Sequence, residues 1–369
     1  MHNFKPKSFH FQWHITERCN LRCKHCYFNE KLIKEELPNG SLFPIFDKYI
    51  KQLKRWKLDR EKARITFMGG EPLIKDNFFE IIQKAYINYK ITGYGISSNG
   101  TLIDKSVASK LKDLKVDYVQ ISLEGRKKIN DFIRGKGVFE KATDALKFLK
   151  KAGLDTSISA TISRLNFKEL PYIIKIAKDL KVDHLGIRRL VPIGRGKDIK
   201  KYFLSPEETK KLYVYLSALS KGKGPRISFG CEDGIVAQSP DYLPKGCSAA
   251  YNSFTVLPNG DVYPCRRLPL LSGNLLKESF EKIYYNSKIF QELRNINNIN
   301  NECSSCPYFA ECRGGAKCIS FGYFGNPFQP DPQCWRLFSD LPALNMKFNP
   351  QKKNKSRMDE KWVDFKSNA

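Results

Sequence analysis

The chain has 369 residues, a formal net charge of +26, and 41% hydrophobic and 12% aromatic residues. That length suits two domains, or one large domain with an appendage, and the apolar content excludes wholesale disorder. No long uncharged apolar run offers a membrane span, and Met1-His2-Asn3-Phe4-Lys5-Pro6-Lys7 lacks the apolar core of a secretory signal, so a cytoplasmic location is expected. The lysines are spread among Ile and Asn along the whole chain, which reads as a solvated basic surface; neither a membrane nor a nucleic acid is the expected partner.

After an N-terminal extension (1–10), short strand-like segments lie at Phe11–Thr16, Arg64–Met68, Gly93–Ser97, Tyr118–Leu123, Thr156–Ile162 and His184–Val191. They alternate with amphipathic stretches such as Phe79–Tyr89, Ala142–Lys151 and Leu170–Leu180. This alternation predicts an α/β fold with a parallel sheet, a partial (β/α)6 TIM-like barrel over residues 11–200 with ligand sites at the C-terminal strand ends. Val191-Pro192-Ile193-Gly194-Arg195-Gly196 breaks the pattern as the exit from the barrel. Ser205, Pro206 and Glu208 then spell a capping box, and Lys221-Gly222-Lys223-Gly224-Pro225 a flexible joint, so 201–230 is read as bridging helix and linker. A small cysteine-rich domain is expected over 231–344. Its clearest elements are a β-hairpin (Ser253–Leu257, an Asn259-Gly260 turn, Val262-Tyr263) that delivers Cys265, and a helix from Ser279 to Arg294. A basic tail, 345–369, follows.

Eleven cysteines fall into two groups: Cys19, Cys23 and Cys26, then eight between Cys231 and Cys334. A reducing compartment argues against disulfides, and with only five histidines mixed Cys/His zinc sites are poor candidates. An iron–sulfur site, or zinc held by four thiolates, remains. The spacing C-x3-C-x2-C in Cys19-Asn20-Leu21-Arg22-Cys23-Lys24-His25-Cys26 follows the first strand. Three close thiolates can bind three irons of a [4Fe–4S] cube and leave the fourth open to a reacting ligand; a zinc site short of one ligand, or three unrelated thiols, is the other reading. Met68-Gly69-Gly70-Glu71-Pro72 ends the second strand. Its glycines let main chain approach a ligand and Glu71 can accept from an ammonium group, although an ordinary turn has the same composition.

The triplet, the Gly-Gly-Glu-Pro segment and the order of units over residues 11–196 resemble the radical SAM superfamily. The resemblance implies a catalytic [4Fe–4S] cluster on Cys19, Cys23 and Cys26 that cleaves S-adenosyl-L-methionine reductively to a 5′-deoxyadenosyl radical. It implies that Gly69, Gly70, Glu71 and Pro72 hold the methionine part. His25 stands where an aromatic residue helps to hold the adenine, with Tyr27 after the triplet. Ile121-Ser122-Leu123-Glu124-Gly125 resembles the strand whose Ser contacts the ribose, with Glu124 where many members carry Asp. Phe132-Ile133-Arg134-Gly135 resembles the segment whose Arg pairs with the cofactor carboxylate, and Ser98 and Asn99 are further ribose candidates.

From Cys247 through Gly260 to Cys265, then Cys303-x2-Cys306-x5-Cys312, Cys318 and Cys334, the pattern resembles the SPASM extension of members that modify peptides and proteins. Five residues separate Cys312 from Cys318 where three are usual. The resemblance implies two auxiliary [4Fe–4S] clusters, one on Cys231, Cys247, Cys265 and Cys318, the other on Cys303, Cys306, Cys312 and Cys334. It implies a radical SAM oxidoreductase of the peptide maturase class that forms a thioether or carbon–carbon crosslink in a ribosomally made peptide. A low-potential electron donor such as flavodoxin or ferredoxin is expected. With eighteen residues before Cys19, so is a separate recognition protein. SPASM enzymes of tetrapyrrole (heme) or quinone-cofactor synthesis and sulfatase-type maturases are the enzymatic alternatives. An iron–sulfur electron carrier and a zinc-dependent RNA-binding module are the non-enzymatic ones, and Gly69–Pro72 argues against both.

Overall fold

The computed structural model describes residues 4–28, 36, 42–89, 93–220, 225–229, 246–299 and 301–338. Cys231, most of the Lys221–Pro225 joint and the basic tail lie outside the described residues. All six expected barrel strands form, each end within two residues of its reading: β1 (Phe9–Thr16), β2 (Ala63–Gly69), β3 (Tyr94–Ser98), β4 (Tyr118–Ser122), β5 (Asp155–Ile162) and β6 (His184–Arg189). A seventh strand, β7 (Arg226–Phe229), falls inside the stretch read as linker. Four residues directly after a Gly/Pro-rich joint are too few to show a period. The hairpin gives β8 (Ser253–Val256) and β9 (Asp261–Tyr263), followed by the short β10 (Gly273–Asn274).

The ten strands make one sheet in the order β10-β9-β8-β1-β2-β3-β4-β5-β6-β7. Neighbours from β1 to β7 are parallel, and β8 also runs parallel to β1, with His10–Trp13 in register with Ser253–Val256. The cysteine-rich region therefore does not begin as a detached layer. Its hairpin extends the edge of the barrel sheet.

Among the described residues seven α-helices connect the parallel strands: α1 (Phe43–Trp56), α2 (Phe78–Tyr89), α3 (Lys105–Asp113), α4 (Lys127–Arg134), α5 (Val138–Lys151), α6 (Leu170–Asp179) and α7 (Pro206–Ser220). The capping box of α7 forms as read: Ser205 N donates to Glu208 Oε2 at 2.7 Å, and Glu208 N donates to Ser205 Oγ at 3.1 Å. The helix expected over Ser279–Arg294 is two, α8 (Phe280–Asn286) and α9 (Lys288–Arg294), because Ser287 between them is extended (ψ 124°). Two short helices follow, α10 (Phe309–Cys312) and α11 (Lys317–Phe324). Among the described residues no helix is long and apolar enough to cross a membrane.

Alternation along β1 sorts its side chains between two environments. Phe9, Phe11, Trp13 and Ile15 are buried in the core that includes α1, where Phe11 stacks on Tyr49 at 4.7 Å and Trp13 meets Phe46 edge-on at 4.5 Å. His10 and Gln12 point the other way, into the barrel lumen with Thr66, Tyr118, Gln120 and Arg188. Closed TIM barrels fill this space with branched apolar residues. Here it is polar: His10 and Thr66 share a hydrogen bond of 2.7 Å, Thr66 and Tyr118 one of 2.6 Å, and Gln120 donates to Ser97 at 2.9 Å. Arg189, at the end of β6, is 1% exposed and bonds both oxygens of Asp331 (3.0 and 2.7 Å), which ties the loop before Cys334 to the barrel.

Candidate active site

The Cys19–Cys26 loop leaves β1 at the C-terminal edge of the sheet and is fixed there by main-chain bonds from separate units. Gly70 N donates to Thr16 O (3.0 Å) and Glu71 N to Arg18 O (2.9 Å); Lys24 N donates to Ile133 O (2.9 Å) and Gly196 N to Cys26 O (3.2 Å). Arg195 Nε adds a bond to Cys23 O at 3.0 Å. The glycines of the Gly-Gly-Glu-Pro segment make room for this loop. A Cβ on Gly70 would stand 2.6 Å from the Arg18 carbonyl carbon and 2.8 Å from Cβ of Cys19, and one on Gly69 would press on Thr16. Gly194 has φ +53° and lies against the main chain of Tyr27 and Phe28.

Glu71 and Glu124 stand behind the wall of the site. Glu71 is fully buried and accepts from Ser98 Oγ (2.8 Å), Asn99 N (2.7 Å) and Leu73 N (3.3 Å), so it binds the end of β3 to the loop after β2. Burial pushes its carboxyl up to about 7, against the pull of those three donors. Glu124, also fully buried, accepts from Arg134 Nε (3.0 Å) and Thr161 N (2.7 Å), and pairs with Arg134 Nη2 and with His25 Nε2 (2.9 Å). Burial alone would raise Glu124, but Arg134 and His25 outweigh it and hold the carboxyl at about 2. Arg134 in turn reaches Cys23 Sγ at 3.7 Å. Both glutamate side chains, with Pro72, lie outside the cavity lining, and the bonds described for them run to neighbouring protein groups.

A cavity of about 620 Å³ opens over the triplet. Of the expected site residues, Cys19, Cys23, Cys26, His25, Tyr27, Gly69, Gly70, Ser98, Asn99, Ser122 and Arg134 line it. His25 keeps its Nδ1 buried and without a hydrogen-bond partner. The sequence reading missed the arginines: Arg188, Arg266 and Arg267 line both this cavity and a smaller one of about 140 Å³ behind it, with Met68, Ser97 and Gln120. Their signal was available, since one pair ends β6 and the other directly follows Cys265. Cation–quadrupole contact adds to the wall, with Arg266 over the ring of Tyr27 at 5.8 Å.

The smaller cavity gathers Cys247, Cys265 and Cys318 from three separate segments. Cys303, Cys306, Cys312 and Cys334 form the other neighbourhood. Burial, then the mutual repulsion of these thiolates, pushes Cys303 up to about 12, and burial with Cys334 and Asp331 does the same to Cys312. In the triplet, burial pushes Cys19 up to about 11 and raises Cys23 as well. Crowded, dry thiols of this kind become thiolates when a cationic centre takes them, so the donor sets suit iron–sulfur clusters. Among the described residues no three Cys, His, Asp or Glu side chains converge closely enough to hold one metal ion, the geometry a zinc site needs.

Residues 13–177 match the family model described as the radical SAM superfamily, and residues 247–307 match the SPASM iron–sulfur cluster-binding domain. The chain is 33% identical to the mycofactocin maturase MftC of Mycolicibacterium smegmatis, over 87% of this chain and 81% of that protein. It is 25% identical to an AdoMet-dependent heme synthase of Methanosarcina barkeri, covering 87% and 95% of the two chains. Among solved structures, Streptococcus suis SuiB bound to its precursor peptide SuiA superposes with a TM-score of 0.72 at 18% identity, covering 90% of this chain and 77% of that one. The structure of anSMEcpe with bound AdoMet gives 0.69 at 21% identity, covering 97% and 99%. At those identities the two structures attest the fold alone.

Proposed function

The chain belongs to the radical SAM superfamily, as a radical SAM/SPASM enzyme, and from that premise we propose that it oxidatively modifies a ribosomally made peptide, forming a thioether or carbon–carbon crosslink. One observation carries the reading: the cavity over the cysteine triplet and the cavity of Cys247, Cys265 and Cys318 share a wall of Met68, Ser97, Gln120, Arg188, Arg266 and Arg267. A substrate lying on that wall would face Cys19, Cys23 and Cys26, which would hold the catalytic cluster, on one side, and Cys247, Cys265 and Cys318, which would hold an auxiliary one, on the other. The peptide assignment draws support from the mycofactocin maturase relative and from the peptide in the SuiB structure.

Cys19, Cys23 and Cys26 would hold the catalytic cluster, and His25, Tyr27, Ser98, Asn99, Ser122 and Arg134 would line the S-adenosylmethionine site, with Gly69 and Gly70 as its floor. Cys247, Cys265 and Cys318, with Cys231, would hold one auxiliary cluster, and Cys303, Cys306, Cys312 and Cys334 the second. When bound, these groups supply a 5′-deoxyadenosyl radical for hydrogen-atom abstraction and a site for the substrate electron. The protein contributes placement. Glu124 locks Arg134 beside Cys23, Tyr27 and the wall restrict water, and three arginines attract an acidic residue or terminal carboxylate of the peptide. A flavodoxin or ferredoxin would supply the electron, a separate protein would recognise the peptide, and the cytoplasm is the proposed location.

A tetrapyrrole substrate is the second reading, favoured by the heme synthase relative, which the alignment covers almost end to end. Arginines on the shared wall suit its carboxylates equally. Co-expression with candidate peptides encoded nearby, followed by mass measurement, separates the two. A mass loss of hydrogens in one peptide supports maturation. A protein that releases 5′-deoxyadenosine and changes no peptide, but consumes an iron-tetrapyrrole, overturns it.

A further inference from the structure

Lysine is almost never fully buried without a partner. Lys317 is 4% exposed, opens α11 one residue before Cys318, and its Nζ has no hydrogen-bond partner in the described structure. The segment before it turns sharply: Arg313 (φ 52°), Gly314 (φ 77°) and Gly315 (φ 79°) all adopt left-handed conformations. A Cβ on Gly314 would stand 3.2 Å from Nζ, so glycine there leaves the lysine its place. The thiols near enough to act on Lys317 when ionised are Cys247 from one auxiliary group and Cys303 and Cys312 from the other; the neighbouring cation is Arg313. Arg313 itself is engaged elsewhere, donating to Cys247 O at 3.2 Å and lying over the Tyr251 ring at 3.9 Å.

An ammonium has three donors and no acceptor. Left unsatisfied in a dry interior it is costly, and a buried orphan of this kind asks for an acceptor that occupies the site in the working protein. Thiolate and sulfide sulfur is the acceptor that the surrounding donor set implies. We propose that Lys317 is a shared positioning residue whose N–H groups reach the sulfur of both auxiliary clusters and raise their reduction potentials together. Hydrogen bonds and positive charge near cluster sulfur stabilise the reduced state. The inference rests on the two-cluster reading of the cysteine-rich region.

The test uses the full chain carrying Cys19→Ala, Cys23→Ala and Cys26→Ala, so that only auxiliary clusters contribute, loaded with iron and sulfide without oxygen and titrated electrochemically under electron paramagnetic resonance. Lys317→Met in this background should keep the iron content and shift both signals to lower potential, by a tenfold or larger change in the oxidised-to-reduced ratio, about 59 mV per tenfold for one electron. Lys317→Gln, which keeps a donor but no charge, should shift them less, and Lys317→Arg should restore most of the potential. Unchanged potentials, or a shift in one cluster alone, overturn the proposal. So does loss of iron from all three variants, which would make Lys317 a requirement for assembly. A parent protein that takes up no auxiliary iron before any change at 317 fails the two-cluster reading itself, and the proposal with it.

Discussion

Replacing Gly70 with alanine puts a methyl group against the loop that carries the first cysteine of the triplet. The new carbon would stand 2.8 Å from Cβ of Cys19 and 2.6 Å from the carbonyl carbon of Arg18. Carbon atoms rest at about 3.5 Å or more, so Arg18 must retreat by about 0.9 Å and Cys19 by about 0.7 Å, or the end of β2 must yield by as much. Neither element is free to do so without loss. The loop is held to this strand by Gly70 N on Thr16 O and Glu71 N on Arg18 O, and on its far side by Lys24 and Gly196. Overpacking of this sort costs about 1–3 kcal/mol, which a domain stable by about 5–15 kcal/mol survives. The protein should therefore purify folded while the triplet is displaced. A misplacement approaching 1 Å at reacting groups costs about 10²-fold in rate. The assay is 5′-deoxyadenosine formed per minute by oxygen-free, iron-loaded protein with a strong chemical reductant, and a fall of that order is expected for Gly70→Ala. Gly137→Ala is the control: no atom lies within 4 Å of its Cβ, so its cost is local backbone strain alone and its rate should stay near the parent's. Full iron content and full rate in Gly70→Ala would refute the claim that these glycines exist to admit the cysteine loop.

Glu71, raised from 4.5 to about 7 chiefly by burial, binds its proton more tightly folded than unfolded. Its contribution to stability is therefore complete below about pH 4.5 and is lost as pH rises through 7, by up to about 3 kcal/mol; Glu71→Gln should flatten that part of the slope in urea unfolding of the metal-free protein at pH 5 and 7.5, and an unchanged slope would contradict the assignment. Asp331→Ala leaves the Arg189 guanidinium buried without its bidentate partner and should lower unfolding free energy by about 3–5 kcal/mol, most of it regained in the Arg189→Met, Asp331→Met double variant; a single variant as stable as the parent would show that the pair does not hold the Cys334 loop. Cys306→Ala should still release 5′-deoxyadenosine while modified product disappears, and undiminished product would remove the auxiliary cluster from the reaction.

Strand positions were legible because the barrel strands are β-branched or aromatic runs separated by helical stretches. The cysteine spacing marked the triplet loop and the two cysteine groups of the C-terminal region, with Cys231 alone outside the described residues. What sequence could not show was which neighbour each motif residue touches. Two glycines beside a proposed ligand site look the same whether they admit a ligand or the Thr16–Cys19 main chain, and the distinction needs the loop's own path. Nothing in the sequence around Glu124 shows that Arg134, ten positions on at the end of a helix, reaches it. The sheet order was hidden for a different reason. Pairing of β8 with β1 joins residues more than 240 positions apart, and local periodicity carries no information on such a contact.

The motif residues act together on one physical problem, which is to hold three thiols at fixed separations on a loop that has no secondary structure of its own. A free loop of eight residues samples many shapes, and ordering each residue costs about 1–2 kcal/mol. The anchors come from different parts of the sheet: Gly70 and Glu71 from the end of β2, Ile133 from α4 after β4, Arg195 and Gly196 from the exit after β6. Each bond alone is worth about 1 kcal/mol, too little to set the loop, but their origins are fixed relative to one another by the parallel register of β1 through β6. The geometry of the triplet is therefore a property of the sheet. It follows that changes at Gly194 or Gly196, more than 160 positions from Cys26 in sequence, act on the same loop as changes beside the cysteines, because Gly194 packs against Tyr27 and Phe28 and Gly196 bonds Cys26.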